Sequence, residues 1–565
     1  MANRRIIVVG GSAAGPKAAA KARRINNNAE IIILQMDPEL SMASCGYPYY
    51  IGGYFDDRNM LLSAATGVTR NSKYYMNAKD IDARVNTEVT SIDRTNHIVS
   101  FRNLISKEEG TIAYDKLIIA TGSVPQMPPI PGIGLDGITT LHSIREADYL
   151  RKVREEGKIR KAVVVGGGLI GLETCEALHR AGIEITVVEL LQQLLTFLDW
   201  ELAKLVENHI RSKGANVFTE NGVVEFLGEN GKLMAVKLQN GAELPCELAV
   251  IAIGFKPNVK LASAAGLKIG PAGGIEVNEY MQTSDPDIYA TGDCVETLNL
   301  ITKKKVLAPL GDLANLQGRV AGENAASENC VTFPGTIQTG ACKVFDYSAG
   351  STGISEFAAK KMGYENLITV ISVGTDKPFY MDGYLLVTKL VADKTSGRIL
   401  GAQCIGPGNV SKQVAQWAMA LQGGMSVDQI INSDLPYAPP FSQAIDHFIT
   451  SAHILQNKMK VRLKGISAKE VKEKLARGEN PFLLDVRGPD EYEAMRLGIG
   501  ETLIPLDTLR KRFNELPQDK DKEVICYCKI SLRAYEAALV LEANGWRNVK
   551  VMEGGIVAWP YSREK

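Results

Sequence analysis

The chain has 565 residues, 45% of them hydrophobic, with 64 basic side chains against 64 acidic ones. A neutral balance gives no support to nucleic-acid or anionic-membrane binding, and no apolar run of about 18 residues is present to span a membrane. At roughly 100–200 residues per domain the length predicts three or four domains, and nine scattered cysteines, an odd number, fit separate functional thiols in a reducing, cytoplasmic compartment rather than a disulfide framework.

The first predicted element is the β-branched strand Ile6–Val9. It leads into Gly10-Gly-Ser-Ala-Ala-Gly15 and an Ala-rich helix. The pattern repeats at Ala162–Val165, followed by Gly166-Gly-Gly-Leu-Ile-Gly171 and a second helix. Strand, glycine turn and helix open a dinucleotide-binding βαβ unit, in which glycines admit a pyrophosphate to the helix N-terminus. Two such units predict two nucleotides.

In the second unit Glu189 ends the next strand about 20 residues after the glycines, where a carboxylate accepts from a ribose 2′-OH and repels a 2′-phosphate. That spacing favours NADH, with Gly166, Gly168, Ile170, Gly171 and Glu189 as its contacts. Gly254, in Ile251-Ala-Ile-Gly-Phe-Lys-Pro-Asn258, is a strand-turn near the same site.

In the first unit the equivalent of Glu189 is Gln35, with Asp37 as a possible substitute. FAD is expected there. Its candidate contacts are Gly10, Ser12, Ala13, Ala14, Gly15, Gln35, Ser44, Ala314, Thr121 and Gly122 after the strand at Ile118, and Asp293 after the strand at Ile288, placed to meet ribityl hydroxyls.

These motifs, in this order and spacing over about Arg4–Leu455, resemble the pyridine nucleotide–disulfide oxidoreductase family. The resemblance implies an FAD domain (1–150 and 281–328) interrupted by an NADH domain (151–280), then an α+β dimerisation domain (329–455) that makes a homodimer. The segment Ser41-Met-Ala-Ser-Cys45 carries one cysteine where glutathione and lipoamide reductases carry a Cys-x4-Cys pair. It resembles the single-cysteine branch of coenzyme A-disulfide reductases, NADH oxidases and NADH peroxidases. Cys45 is then the reactive thiolate, with a flavin ring and a helix N-terminus expected to lower its pKa. Oxidases and peroxidases of this type carry a histidine in the first glycine loop. Ala13 stands there, which weighs against both.

Coenzyme A is implied by a basic stripe. Lys17, Lys21 and Arg24 recur at i, i+4 and i+7 on the first helix and match positions lining the groove for nucleotide phosphates, while Ser41 and Ser44 match the pantetheine end. Tyr437, in a Pro-rich loop, matches a tyrosine that reaches the cysteine of the other subunit, and its O–H is placed to protonate a leaving thiolate. Tyr380 lies where the family has a Tyr-Tyr-Pro-Gly segment that is altered here. The other cysteines from Cys175 to Cys404 read as core or ordinary positions.

After a basic linker (456–465), residues 466–565 resemble one α/β rhodanese domain, through Leu484-Asp-Val-Arg487 and Tyr527-Cys-Lys-Ile-Ser-Leu-Arg533. Cys528 holds the catalytic position, opening a loop at a helix N-terminus that favours a thiolate or persulfide, with Arg533 adding a cation. Ser531 stands where the loop usually has glycine, and Asp485 and Arg487 are expected to brace the fold.

The expected fold is therefore α/β, with two Rossmann-like domains, the α+β dimerisation domain and a rhodanese. The expected activity is NADH-driven reduction of coenzyme A persulfide or polysulfide S–S bonds, releasing hydrosulfide, with sulfane sulfur carried on Cys528. The rivals are a coenzyme A-disulfide reductase for thiol homeostasis, an NADH oxidase or peroxidase, and a sulfur-carrier or redox-sensing module without NADH turnover.

Overall fold

The computed structural model describes residues 4–565. They form two compact units, one made of residues up to Leu190 with Asn221–Thr336, the other of Leu191–Glu220 with Ile337–Lys565.

In the first unit the strand β1, Arg5–Val9, lies in a parallel sheet between β2, Glu30–Leu34, and the strand Lys116–Ile119. Ile288–Ala290 and Asp82–Arg84 close the two edges of this sheet. Continuous runs such as Ile6-Ile-Val-Val and Ile31-Ile-Ile-Leu are buried on both faces, as parallel strands require. The helix α1, Ala14–Ile25, packs on helix Gly311–Ala326. The contact is close because glycines line it: a Cβ on Gly318 would stand 2.5 Å from the Ala14 carbonyl oxygen, and one on Gly322 2.2 Å from that of Ala18.

The second dinucleotide fold has the same plan, with strand Lys161–Val165 parallel to Glu184–Val188 on one side and Leu248–Ile251 on the other. Helix Leu169–His179 follows its glycine turn.

The second unit holds two sheets. One is antiparallel, with Gly340–Val344, Tyr347–Gly353, Ile399–Gly406, Leu385–Asp393 and Leu367–Thr375 in that order. On its strand Leu385–Asp393, Lys389 is buried with three carboxylates, at 3.4 Å from Asp199, 3.0 Å from Glu201 and 2.8 Å from Glu356. Burial opposes ionisation of Glu356, yet Lys389 and Lys360 hold it down at about 2. The other sheet is parallel, in the order Gly465–Ile466, Val549–Met552, Val524–Tyr527, Phe482–Asp485 and Thr502–Leu503. Among the described residues no helix is long and apolar enough to cross a membrane.

Candidate active site

The first glycine turn is fixed by contacts that exclude any side chain. Gly10 has φ +110°, and a Cβ on it would lie 2.1 Å from the Ala120 carbonyl oxygen, while one on Gly15 would lie 1.9 Å from that of Gly10. The Gly11 N–H donates to Gln35 Oε1 at 2.7 Å, and Gln35 Nε2 donates in turn to Asp37 Oδ2 at 3.2 Å. Gln35 thus serves as a brace, and Asp37 stands behind it.

The second turn repeats the device. Gly166 also has φ +110°, and Gly171 approaches its oxygen to within 2.0 Å of a notional Cβ. The Gly167 N–H donates to Glu189 Oε2 at 2.7 Å. Gly168 is exposed and faces open space, Ile170 is half-buried beside it, and Gly254 has φ +105°.

Further elements converge on the first turn. Thr121 Oγ1 donates to the Asn258 carbonyl at 2.7 Å, and Asn258 N–H donates to the Gly122 carbonyl at 2.8 Å. Gly292 lies against Ala14 and Ala314, and its N–H donates to Gln317. Ser123 donates to Asp293, whose carboxyl is pushed up by burial. The buried Thr291 hydroxyl has no protein partner among the described residues. A cradle that any Cβ would fill, an acid opposite it and an orphaned hydroxyl fit a dinucleotide cofactor with a polyhydroxyl arm.

Cys45 follows. The loop leading to it is tied to the glycine turn, with Ser41 N–H donating to the Gly11 carbonyl at 2.8 Å. Ser41 is buried at φ +54°, and its hydroxyl is paired with Tyr75; Ser44 is exposed next to Cys45. Cys45 is exposed in the short turn Ser44–Gly46, ahead of helix Tyr47–Ile51. Its sulfur would be 3.8 Å from a Cβ on Gly311, the first residue of helix Gly311–Ala326.

The sequence suggested that the surroundings lower the thiol pKa. The chain's own groups do the opposite: the protein packed around Cys45, then Glu173, Asp293 and Asp312, push it up. Beside it Pro48, Tyr49, Tyr54, Glu173, Glu176 and Ala177 line a shallow hollow, where Tyr49 O–H donates to Glu173 at 3.1 Å and Tyr54 O–H to Glu176 at 2.7 Å. Neither Glu173 nor Asp312 was singled out by sequence. Each comes from an element far from Cys45 along the chain.

The basic stripe is rearranged. Lys21 is taken by Glu323 at 2.8 Å, both largely buried. Lys17 instead feels Arg24, Arg319, Arg70 and Lys79. Partial burial first, then these four cations, lower the Lys17 pKa. Lys17 is thus under the influence of four other cations, and the five come from three separate stretches of sequence. Arg70 Nη2 also donates to the Ser41 and Ser63 carbonyls at 3.3 and 3.1 Å.

In the second unit Tyr380 sits in the turn Phe379–Met381 and is 71% exposed; Tyr437 is 52% exposed. Cys528 is buried at the end of strand Val524–Tyr527, ahead of helix Leu532–Ala543. Arg533 forks onto Glu491 at 2.6 and 2.8 Å, which raises its already high pKa. Ser531 adopts φ +78°, the conformation glycine favours, and its hydroxyl donates to the Met552 carbonyl at 2.8 Å. Asp485 and Arg487 pair with each other, at 2.7 to 3.1 Å, and Arg487 also donates to the carbonyls of Glu491 and Met495. Cys526 is core, its thiol pushed up by burial.

Two dinucleotide folds, one exposed cysteine beside the first and a second cysteine in an arginine-flanked loop define a nucleotide-dependent sulfur redox enzyme. The family comparison agrees. Residues 4–306 match the pyridine nucleotide-disulphide oxidoreductase family, 339–449 its dimerisation domain and 467–561 the rhodanese-like domain. The chain belongs to the pyridine nucleotide-disulphide oxidoreductase family, and its cofactors are FAD and NAD(H).

An NADH oxidase of Methanocaldococcus jannaschii is 33% identical over 74% of this chain and 91% of its own length. An NAD(P)H coenzyme A polysulfide/persulfide reductase of Pyrococcus horikoshii is 31% identical over 76% and 93%. The solved NAD-dependent persulfide reductase from A. fulgidus superposes with a TM-score of 0.93 at 41% identity, over 98% of this chain and all of that one.

Proposed function

We propose that this chain is a homodimeric, cytoplasmic NADH-dependent reductase of sulfane sulfur, acting on coenzyme A persulfide or on polysulfide through Cys45. The observation that carries the reading is Cys45 itself: an exposed cysteine with no second cysteine in its loop, tied by that loop to the first glycine turn, with several cations on the same unit. A thiolate without a local partner exchanges with a small sulfur compound. Lys17, Arg24, Arg70, Arg319 and Lys79 suit the phosphates of a coenzyme A carrier.

Bound FAD supplies two-electron transfer between NADH and sulfur. Gly10, Gly11, Gly15, Gln35 and Asp293 would hold it, and Gly166, Gly168 and Glu189 the NADH. Cys45 Sγ attacks the S–S bond; a Cys45 Sγ–S bond forms as one sulfur leaves with the old bond's electron pair, and two electrons derived from NADH then cleave the new bond and return Cys45 to the thiolate. Overall, NADH, a proton and a persulfide RSSH give NAD+, RSH and hydrogen sulfide. Tyr437 of a second subunit is placed in this reading to protonate the leaving thiolate, with Tyr380 near it, and the exposed Phe379, Tyr384, Phe441 and Ile445 supply apolar surface for the dimer. In the rhodanese the donor's S–S bond breaks, a Cys528 Sγ–S bond forms, and the donor's remaining thiolate departs. Arg533 balances the charge.

The test is anaerobic NADH consumption with coenzyme A persulfide or polysulfide against coenzyme A disulfide, with Cys45→Ser and Cys528→Ser as controls. A larger kcat/KM for the persulfide, lost in Cys45→Ser, supports the reading. Preference for the disulfide makes the enzyme a coenzyme A-disulfide reductase, and turnover only on admitting oxygen makes it an oxidase, the activity named for the Methanocaldococcus relative.

A further inference from the structure

The segment Glu553–Val557 works on two sides. Inward, it is the floor of the Cys528 loop. Ile556 N–H donates to the Cys528 carbonyl at 2.9 Å and Val557 N–H to that of Lys529 at 3.2 Å. A Cβ on Gly555 would stand 2.3 Å from the Cys528 oxygen and 2.7 Å from that of Lys529, so no other residue fits beneath the loop.

Outward, the Glu553 side chain leaves the rhodanese sheet. It is 4% exposed, and its carboxylate accepts from Ile371 N–H at 2.9 Å and from the Lys458 ammonium at 2.5 Å. Lys458 donates as well to the Thr369 carbonyl at 2.7 Å. Thr369 and Ile371 belong to Leu367–Thr375, the edge strand of the antiparallel sheet. Gly554 rests on the same strand, where a Cβ would meet Ile371 at 3.1 Å and Val373 at 3.4 Å.

A carboxylate this buried is stable only with charged and hydrogen-bonding partners. Both partners of Glu553 lie outside the rhodanese-like match, which begins at residue 467. Cys528 in turn needs its loop held still, since a reacting group displaced by about 1 Å loses on the order of a hundredfold in rate.

We propose that Glu553 is a positioning residue for sulfur transfer at Cys528: it fixes the floor of the Cys528 loop to the edge strand of the dimerisation sheet, so that Lys458 and Ile371 complete the sulfur site from outside the rhodanese domain. The proposal rests on the sulfur-carrier reading of Cys528. Its reach is specific. A lysine 70 residues before Cys528 in sequence, with no place in the loop, governs turnover there.

The test uses the flavin-loaded full chain as parent, Cys528→Ser, Glu553→Gln, Lys458→Met and the double variant Glu553→Gln/Lys458→Met. Two quantities are read: sulfur transfer from thiosulfate to cyanide, giving sulfite and thiocyanate, and hydrogen exchange of the Ile556 and Val557 amides. Each single variant is expected to lower kcat about tenfold with the thiosulfate KM within about twofold. The double variant should be no worse than either single one, because they break one ion pair, and both amides should exchange faster. An unchanged kcat in Lys458→Met, or losses that multiply in the double variant, overturns the proposal. A parent that transfers no sulfur sinks the carrier reading instead. The exchange data then decide alone, and unaltered protection in Lys458→Met overturns the positioning role.

Discussion

Cys45 sits among carboxylates, and this sets how its own reactivity depends on pH. Glu173, Asp293 and Asp312 add to the desolvation that raises its thiol pKa. The thiolate fraction at a given pH is therefore smaller than in a free cysteine, and reactivity rises with pH until the raised pKa is passed. Glu173→Gln removes one like charge while leaving an oxygen to accept from Tyr49. The thiolate becomes easier to form, and the reactivity profile shifts to lower pH. Alkylation of Cys45 by iodoacetamide at pH 8, followed by mass spectrometry, should quicken about two- to threefold. An unchanged or slower rate would mean that Glu173 does not act on the sulfur. At the same scale the departure at Gln35 becomes intelligible. Its amide accepts from Gly11 and donates to Asp37, and a glutamate cannot donate.

At the scale of elements, the glycine turns do their work through close approach, and so does the packing behind them. Gly318 and Gly322 are four residues apart on one helix and face the backbone of α1, Ala14–Ile25. Gly322→Ala gains about 1 kcal/mol of helix propensity. It also places a methyl 2.2 Å from the Ala18 carbonyl oxygen, which two packed helices cannot absorb without moving. We expect a net loss of about 1–2 kcal/mol, read as a lower thermal midpoint and faster release of flavin; a variant as stable as the parent would show that the helices yield.

The turns were legible because their signal is local: a β-branched run, glycines and an acid or amide at the end of the next strand. The set of cations that acts on Lys17 was only half legible. Helical spacing put Lys17, Lys21 and Arg24 on one face, but Glu323, which claims Lys21, and Arg319, which joins the set, both lie about 300 residues away. Arg70 and Lys79 join it by tertiary folding that no periodicity encodes. The same holds for Glu553, an ordinary strand-end acid in sequence, whose partners belong to another domain.

For the whole molecule the decisive question is whether one subunit's Tyr437 serves the other's Cys45. Two facts make the question sharp. The chain contains the family's dimerisation domain at 339–449, and Tyr437 projects from it 52% exposed, near in sequence to Phe441 at 71%. If Tyr437 acts across the dimer, a Cys45→Ser subunit and a Tyr437→Phe subunit complement each other. Each mixed dimer holds one intact site, built from the cysteine of one chain and the tyrosine of its partner. Random pairing on co-expression makes about half of the dimers mixed, so the preparation should recover about a quarter of the parent's persulfide-dependent NADH turnover on top of about a quarter of the Tyr437→Phe rate. Purification through two different tags should raise that to about half. The comparison is with each variant alone, Cys45→Ser inactive and Tyr437→Phe reduced. If Tyr437 instead serves its own subunit, the mixed dimer pairs one site lacking the thiol with one lacking the hydroxyl. Tagged mixed dimers then turn over at half the Tyr437→Phe rate, and the placement of Tyr437 across the dimer fails.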